Sequence, residues 1–207
     1  MESFNNWLAL REQSENNTVL AVFDFDGTVA NVPEKPSPDD DKHHWDGKDW
    51  WGSSASLESP FYDGWVNDEV VSAFKKANSN PETHAILLTG RRSVVAPWVK
   101  KVLDNIGLGG VEQHFNGDHR NKSDYIKNKK GKPAGDTMSH KTYVVRSKMH
   151  DGIREVHFWD DRDDHVDNWV KLAKELKEKY SNLKIVLHKV NPPASRNQKA
   201  KIDHINI

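Results

Sequence analysis

The sequence predicts an α/β domain in which a parallel sheet is covered by helices on both faces. Short apolar runs alternate with longer segments whose apolar residues recur at helical spacing. That order means parallel strands joined by right-handed crossovers. One run, His84-Ala-Ile-Leu-Leu-Thr89, is apolar without alternation, as in a strand buried on both faces. Three of the runs end in polar residues, namely Asp24 with Asp26, Thr89, and Asp160 with Asp161. In an open α/β sheet ligands bind beyond the carboxyl ends of the strands, so these residues meet on one functional edge.

Each element has its own signal. Residues 3–13 carry Phe4, Trp7, Leu8 and Leu10 at the spacing of a short amphipathic helix, and residues 19–24 form the first strand. Residues 31–60 have no steady period. They contain Pro33, Pro36 and Pro38, an acidic run over 39–41, His43 and His44, and Trp45, Trp50 and Trp51. So long a loop inside a domain is generally functional, and an insertion over about 31–64 is expected to act as a small cap or substrate platform. A helix follows, capped near Asn67 and acidic at its start, with Val70, Val71, Phe74 and Ala77 inward. After residues 84–89, Gly90-Arg91-Arg92-Ser93 is read as a turn. The next helix begins near Pro97, carries Val99, Val102, Leu103 and Ile106 inward, and stops at Gly107. A weak strand over 111–115 leads into a polar, lysine-rich loop over 116–135. A helix over 137–149, a strand over 154–161, a helix over 163–179 and a strand over 183–190 complete the alternation. Residues 191–207 read as a polar tail on a single domain spanning 1–207.

Composition narrows the classes. Lysine and arginine number 30 against 31 acidic residues, so any nucleic-acid contact must come from a local patch rather than a basic chain. Cysteine is absent, which removes disulfides and thiol chemistry and fits a reducing compartment. The start of the chain shows neither the basic region nor the apolar run of a signal peptide, and no run reaches membrane-spanning length. A soluble, cytoplasmic protein with no membrane partner is the expectation, and its oligomeric state is left open.

Two carboxylates at i and i+2 leaving a strand into a glycine turn gain nothing from packing. They suit a nucleophile, a proton carrier and a cation ligand. With a hydroxyl at Thr89 and a lysine at Lys141, the edge has the parts of metal-assisted phosphoryl transfer. Asp24-Phe-Asp-Gly-Thr28, Thr89, Lys141 and Asp160-Asp161 together resemble, in order, the four motifs of the haloacid dehalogenase (HAD) superfamily of aspartate-nucleophile phosphatases. The resemblance implies a Rossmann-like three-layer sandwich. It further implies Asp24 as nucleophile, Asp26 as general acid and base, and Thr89 and Lys141 as holders of the phosphoryl oxygens. Mg2+ would be bound by Asp24, the Asp26 carbonyl and an acid of the pair Asp160 and Asp161, with Asp161 favoured as the direct ligand. Gly27 and Thr28 complete the first motif at the substrate. Lys148 and Lys132 are the alternatives to Lys141.

Leu88-Thr-Gly-Arg-Arg92, Gly135-Asp-Thr137 and Trp159-Asp-Asp-Arg-Asp-Asp-His165 are similar to the phosphatase halves of polynucleotide kinase-phosphatases and to the HAD modules of RNA-repair proteins. That similarity implies a terminal phosphate, most often a 3′-phosphate, on an RNA or DNA end. It assigns Gly90, Arg91, Arg92, Arg162 and His165 to the substrate. A P-loop is absent, so no fused kinase is expected, and the tryptophan-rich insertion departs from the pattern. The tryptophans 45, 50, 51 and 65 suit either base stacking or a small core of the insertion. Two other classes share these residues, a phosphatase of small metabolites or nucleotides and a non-catalytic or protein-binding HAD-fold module.

Overall fold

The structure is a computed structural model that describes residues 17–36, 50–59, 61–117 and 137–207. The expected helix over 3–13, residues 37–49 of the insertion and the loop lysines between 122 and 132 lie outside the described residues. The strands are β1 (Val19–Phe23), β2 (Thr83–Arg92), β3 (Glu112–Asn116), β4 (Glu155–Asp160), β5 (Lys184–Asn191) and β6 (Lys201–Asn206). The helices are α1 (Asp68–Ser79), α2 (Ala96–Asn105), α3 (Thr137–Lys148) and α4 (Asp163–Lys179). The sheet order is β3-β2-β1-β4-β5-β6, parallel from β3 through β5, with β6 antiparallel to β5. The chain first builds outward from β1 through β2 and β3, then returns to the other side of β1 with β4. The crevice at that reversal is where α/β sheets bind ligands.

Alternate residues of each strand feed opposite faces. Phe23, Leu87 and Val190 pack with Phe74 of α1 and with Val99 and Leu103 of α2. Leu20, Val22, Phe158 and Leu187 pack with Val144 of α3 and Trp169 of α4. The inward residues of α4 are Trp169, Leu172, Ala173 and Leu176, with Val166 and Val170 partly buried at its flanks. Stacked rings knit each layer, Phe23 on Phe74 at 4.0 Å and Phe158 on Trp169 at 4.3 Å between centroids.

Two expectations are corrected here. The segment Gly90-Arg91-Arg92 does not turn the chain. β2 continues through it with an irregular register, passing from Thr89 opposite Phe115 to Arg92 opposite Asn116. The irregularity redirects Arg91 inward, as bulges do near functional edges. The polar tail is also too simple a reading, because Lys201–Asn206 pairs with β5 as an edge strand. Its charged, exposed residues hid it, and such residues are what keep an edge strand from pairing with other chains.

Among the described residues no helix is long and apolar enough to cross a membrane. Because Phe74 is wholly buried against Phe23, Phe74→Ala is expected to lower unfolding free energy by about 3–5 kcal/mol, and Phe74→Leu by clearly less. Urea unfolding of the three proteins measures this, and a loss below about 1 kcal/mol for the alanine variant contradicts the packing described.

Candidate active site

Strand register brings the first acids together. Phe23 lies opposite Leu87 on one side and Trp159 on the other. Asp24 therefore emerges beside Asp160, with Thr89 two residues beyond Leu87. The chain then folds into a tight turn in which Val29 and Ala30 donate to the Phe25 carbonyl and Gly27 donates to that of Ala30. Gly27 has φ of +69°, and a Cβ there would lie 2.2 Å from Asp161 Oδ2. Glycine is thus required both for its backbone and for the carboxylate packed on it. Asn67 precedes α1 but makes no side-chain cap. Its amide instead donates to the carbonyls of Gly27 at 3.2 Å and Thr28 at 2.7 Å, pinning the turn.

Lys141 reaches the edge from α3. Its Nζ lies 2.9 Å from Asp24 Oδ2, 2.9 Å from Asp160 Oδ2 and 3.3 Å from His165 Nδ1. Lys148 instead pairs with Glu112 on the surface, so of the described candidates Lys141 is the one at the edge. Burial disfavours the Lys141 ammonium, but Asp160 and Asp24 outweigh that effect and raise its pKa above the ordinary lysine value. Asp160 is saturated with donors. It accepts from Lys141, from Trp169 Nε1 at 3.0 Å, from the Arg162 amide at 3.2 Å and from His165 Nδ1 at 3.0 Å. These partners overcome its burial and hold its carboxyl well below the usual range.

Asp161 has the opposite surroundings. Thr28 Oγ1 approaches its Oδ1 at 3.4 Å, and Lys189 is spent on its backbone carbonyl rather than its carboxylate. Burial, with Asp24 and Asp160 nearby, pushes the Asp161 carboxyl up to about 7. Burial likewise pushes Asp24 to about 6 against the pull of Lys141, with Asp160 and Asp26 adding to the rise. Asp24, Asp160 and His165 also bring donor atoms within 4.8 Å of one another. The lysine ammonium already contacts all three, so that cluster is cation-filled. Asp161, whose carboxylate lacks a cationic partner among the described residues, together with Asp24 offers hard oxygen donors and is the better fit to a divalent ion.

Asp26 is gripped by Arg91. The guanidinium donates to it from Nε at 2.9 and 3.1 Å and from a terminal nitrogen at 2.8 Å. The other terminal nitrogen donates to the Trp51 carbonyl at 3.1 Å and Ser56 Oγ at 2.8 Å, tying the insertion to the acid. Arg91, expected at the substrate, lines the cleft, but it is only 2% exposed and its guanidinium is engaged by Asp26. Thr89 Oγ1 accepts from the Arg91 amide at 3.1 Å. Gly90 packs on the Thr137 side chain and borders the cleft. Arg92 is exposed at the end of β2. Arg162 lines the cleft while pairing with Asp164 at 2.7 Å, and His165 lines it while steadying Asp160.

The cleft has a volume of about 590 Å³ and joins Asp24, Asp26, Gly27, Lys141 and Asp161 to Trp51, Trp65 and Pro192. The tryptophans of the insertion thus divide. Trp50 is buried, donates to the Pro33 carbonyl at 3.0 Å and meets Phe61 edge-on, whereas Trp51 borders the cleft. Sequence reasoning missed the site roles of Asn67, Ser56, Trp169 and Lys189. Only Trp169 carried a signal, standing four residues after His165 on one helical face.

A sheet reversing at the acidic edge, with a lysine between the acids of its first and fourth strands, defines a HAD-type domain. A family model described as HAD domain family 1 in Swiss Army Knife RNA repair proteins matches residues 40–201, and the chain belongs to that family. The matched span includes Thr89, Lys141, Asp160 and Asp161 and begins beyond Asp24 and Asp26. No curated protein matches the chain. Among solved structures it is similar to the Legionella pneumophila effector Ceg4 carrying an N-terminal TEV protease cleavage sequence. The two share 15% identity over 86% of this chain and 89% of that one, with a TM-score of 0.47.

The raised carboxyls have a measurable consequence. A proton on Asp161 is bound more tightly in the folded chain than at its ordinary value of 3.8, so its stabilisation is complete below that value and lost as pH rises through about 7. Half-buried His157 and buried His188, whose pKa values desolvation lowers, work the other way over part of this range. The comparison that isolates Asp161 is therefore wild type against Asp161→Asn. In chelator the variant is expected to melt higher at pH 8, with the gap narrowing towards pH 5 and closing only below the ordinary value of 3.8. Thermal unfolding across that range checks it, and a gap independent of pH contradicts it.

Proposed function

We propose that the protein is a Mg2+-dependent phosphomonoesterase that works through an aspartyl-phosphate and removes a terminal phosphate, preferentially a 3′-phosphate, from a nucleic-acid end. The observation that carries the reading is the Asp24 carboxylate at the strand end, oriented by Lys141 at 2.9 Å and by the Phe25 amide at 2.8 Å, with Asp26 two residues on. Membership of a family described from RNA repair proteins supports the choice of substrate.

The residues divide the chemistry as follows. Asp24 attacks phosphorus, and the bond from phosphorus to the substrate oxygen breaks. Asp26 gives its proton to that leaving oxygen. The Asp26 carboxylate then takes a proton from water, whose oxygen attacks phosphorus, releases phosphate and restores Asp24. Lys141 offsets the repulsion between an anionic nucleophile and an anionic phosphate. Arg91 holds the Asp26 carboxylate in one orientation for both proton transfers. Mg2+, held by Asp24, Asp161 and the Asp26 carbonyl, would supply the remaining positive charge at the phosphoryl oxygens.

Hydrolysis of 3′-phosphorylated oligonucleotides is expected to exceed that of 5′-phosphorylated ones and of small phosphate esters, to need Mg2+, and to vanish in Asp24→Asn. Phosphate release across these substrates tests it. Equal turnover of small esters favours a metabolite phosphatase, and undiminished activity in Asp24→Asn rejects Asp24 as nucleophile. Arg91→Lys, which keeps the charge but loses the fork, is expected to lower kcat by about 10- to 100-fold with little change in KM. Steady-state kinetics decides this, and an effect confined to KM returns Arg91 to a substrate contact.

A further inference from the structure

We propose that Trp51 is the stacking platform for the base of the terminal nucleotide, with Trp65 and the cleft-lining prolines completing a nucleoside pocket. The proposal rests on the reading of the site as a phosphatase of nucleic-acid ends, and it names what the insertion adds to that site.

Trp51 and Trp50 are neighbours with different fates. Trp50 is 3% exposed, whereas Trp51 is 38% exposed at the cleft. An indole of that exposure beside a reaction centre is unspent apolar surface, and every nucleobase offers a flat face to it. The ring is also held in place. Arg91 bonds the Trp51 carbonyl at 3.1 Å, its guanidinium carbon lies 5.7 Å from the ring centre, and the same guanidinium grips Asp26. The platform and the proton-transferring acid are thus fixed by one side chain, so a stacked base would set the leaving oxygen in register with Asp26.

The rest of the cleft has matching chemistry. Its volume of about 590 Å³ falls within the roughly 300–1,000 Å³ typical of pockets that enclose a small organic ligand. Anion-handling groups are Asp24, Asp161 and Lys141, while Trp65, Pro33 and Pro193 form apolar walls. Asn31 lines the cleft as well. Its Nδ2 donates to Asn67 Oδ1 at 2.6 Å, and its buried Oδ1 has no donor among the described residues. A phosphoryl anion joined to a sugar and a flat aromatic ring, a nucleotide, uses the exposed indole, the apolar walls and the anion-handling groups together.

The experiment compares kcat/KM of wild type, Trp51→Ala and Trp51→Phe on two 3′-phosphorylated oligonucleotides that differ only in whether the last nucleotide carries its base. On the base-bearing end, the alanine variant is expected to lose about ten-fold or more beyond any loss on the abasic end, and the phenylalanine variant to retain most activity. Equal losses on both ends overturn the proposal, since they would come from disturbing Arg91 and Asp26 rather than from stacking. No loss overturns it too. If wild type hydrolyses neither substrate, the phosphatase reading fails by itself, and fluorescence anisotropy of the two labelled oligonucleotides with Asp24→Asn decides the platform. Base-dependent binding that Trp51→Ala removes supports it, and binding indifferent to the base rejects it.

Discussion

The Lys141 ammonium lies 2.9 Å from an oxygen of Asp24 and 2.9 Å from an oxygen of Asp160, with all three side chains almost wholly removed from water. Two carboxylates so placed repel each other, and neither is stable there without a cation. Removing one member of a buried ionic group commonly costs about 3–5 kcal/mol, because the charge left behind has no solvent to replace its partner. Helix α3 must therefore dock with Lys141 over the carboxyl ends of β1 and β4. Asp160 in turn draws His165 and Trp169 from α4, and the Trp169 ring continues into the core by stacking on Phe158. One charge arrangement thus sets the seating of two helices on one face of the sheet.

A second arrangement fixes the other face of the site. Arg91 leaves β2 at its irregular end and joins Asp26 to the Trp51 carbonyl and Ser56. Asn67 joins the start of α1 to the carbonyls of the first-motif turn. Buried polar networks of this kind are rigid because any movement leaves a desolvated group unpaired. The turn that carries Asp24 and Asp26 is held from both sides, which is the preorganisation that charge-stabilising catalysis requires.

Much of this was legible in the sequence because it depends on period and order. Strand ends, helix faces and the sequence of acidic, hydroxyl and lysine positions lie along the chain in the order in which the sheet brings them together. What was not legible depends on where long side chains go. Helix α3 carries Lys141 and Lys148 seven residues apart, and only packing separates the buried cation from the surface one. Arg91 looked like a substrate contact because arginines after a strand end are suited to phosphate. Burial turned it instead towards Asp26. β6 has Ile202 and Ile205 among lysine, aspartate, histidine and asparagine, too little apolar character to distinguish an edge strand from a tail.

The pair Asp160 and Asp161 shows why neighbouring identical residues acquire different chemistry. Successive residues leaving a strand point in opposing directions. Asp160, the last residue of β4, turns into the donors of α3 and α4 and stays ionised. Asp161, the first beyond the strand, turns over Gly27 towards Asp24, where burial and like charge raise its pKa. Asp160 consequently spends its charge on holding Lys141, which leaves Asp24 and Asp161 as the acids suited to a cation from solvent. Asp24 and Asp161 are the oxygen donors that would hold a divalent ion, which would offset the like charge that raises both carboxyls, while Lys141 keeps its contact with Asp24. The same doubled acid therefore supplies one group that builds the site and one that charges it.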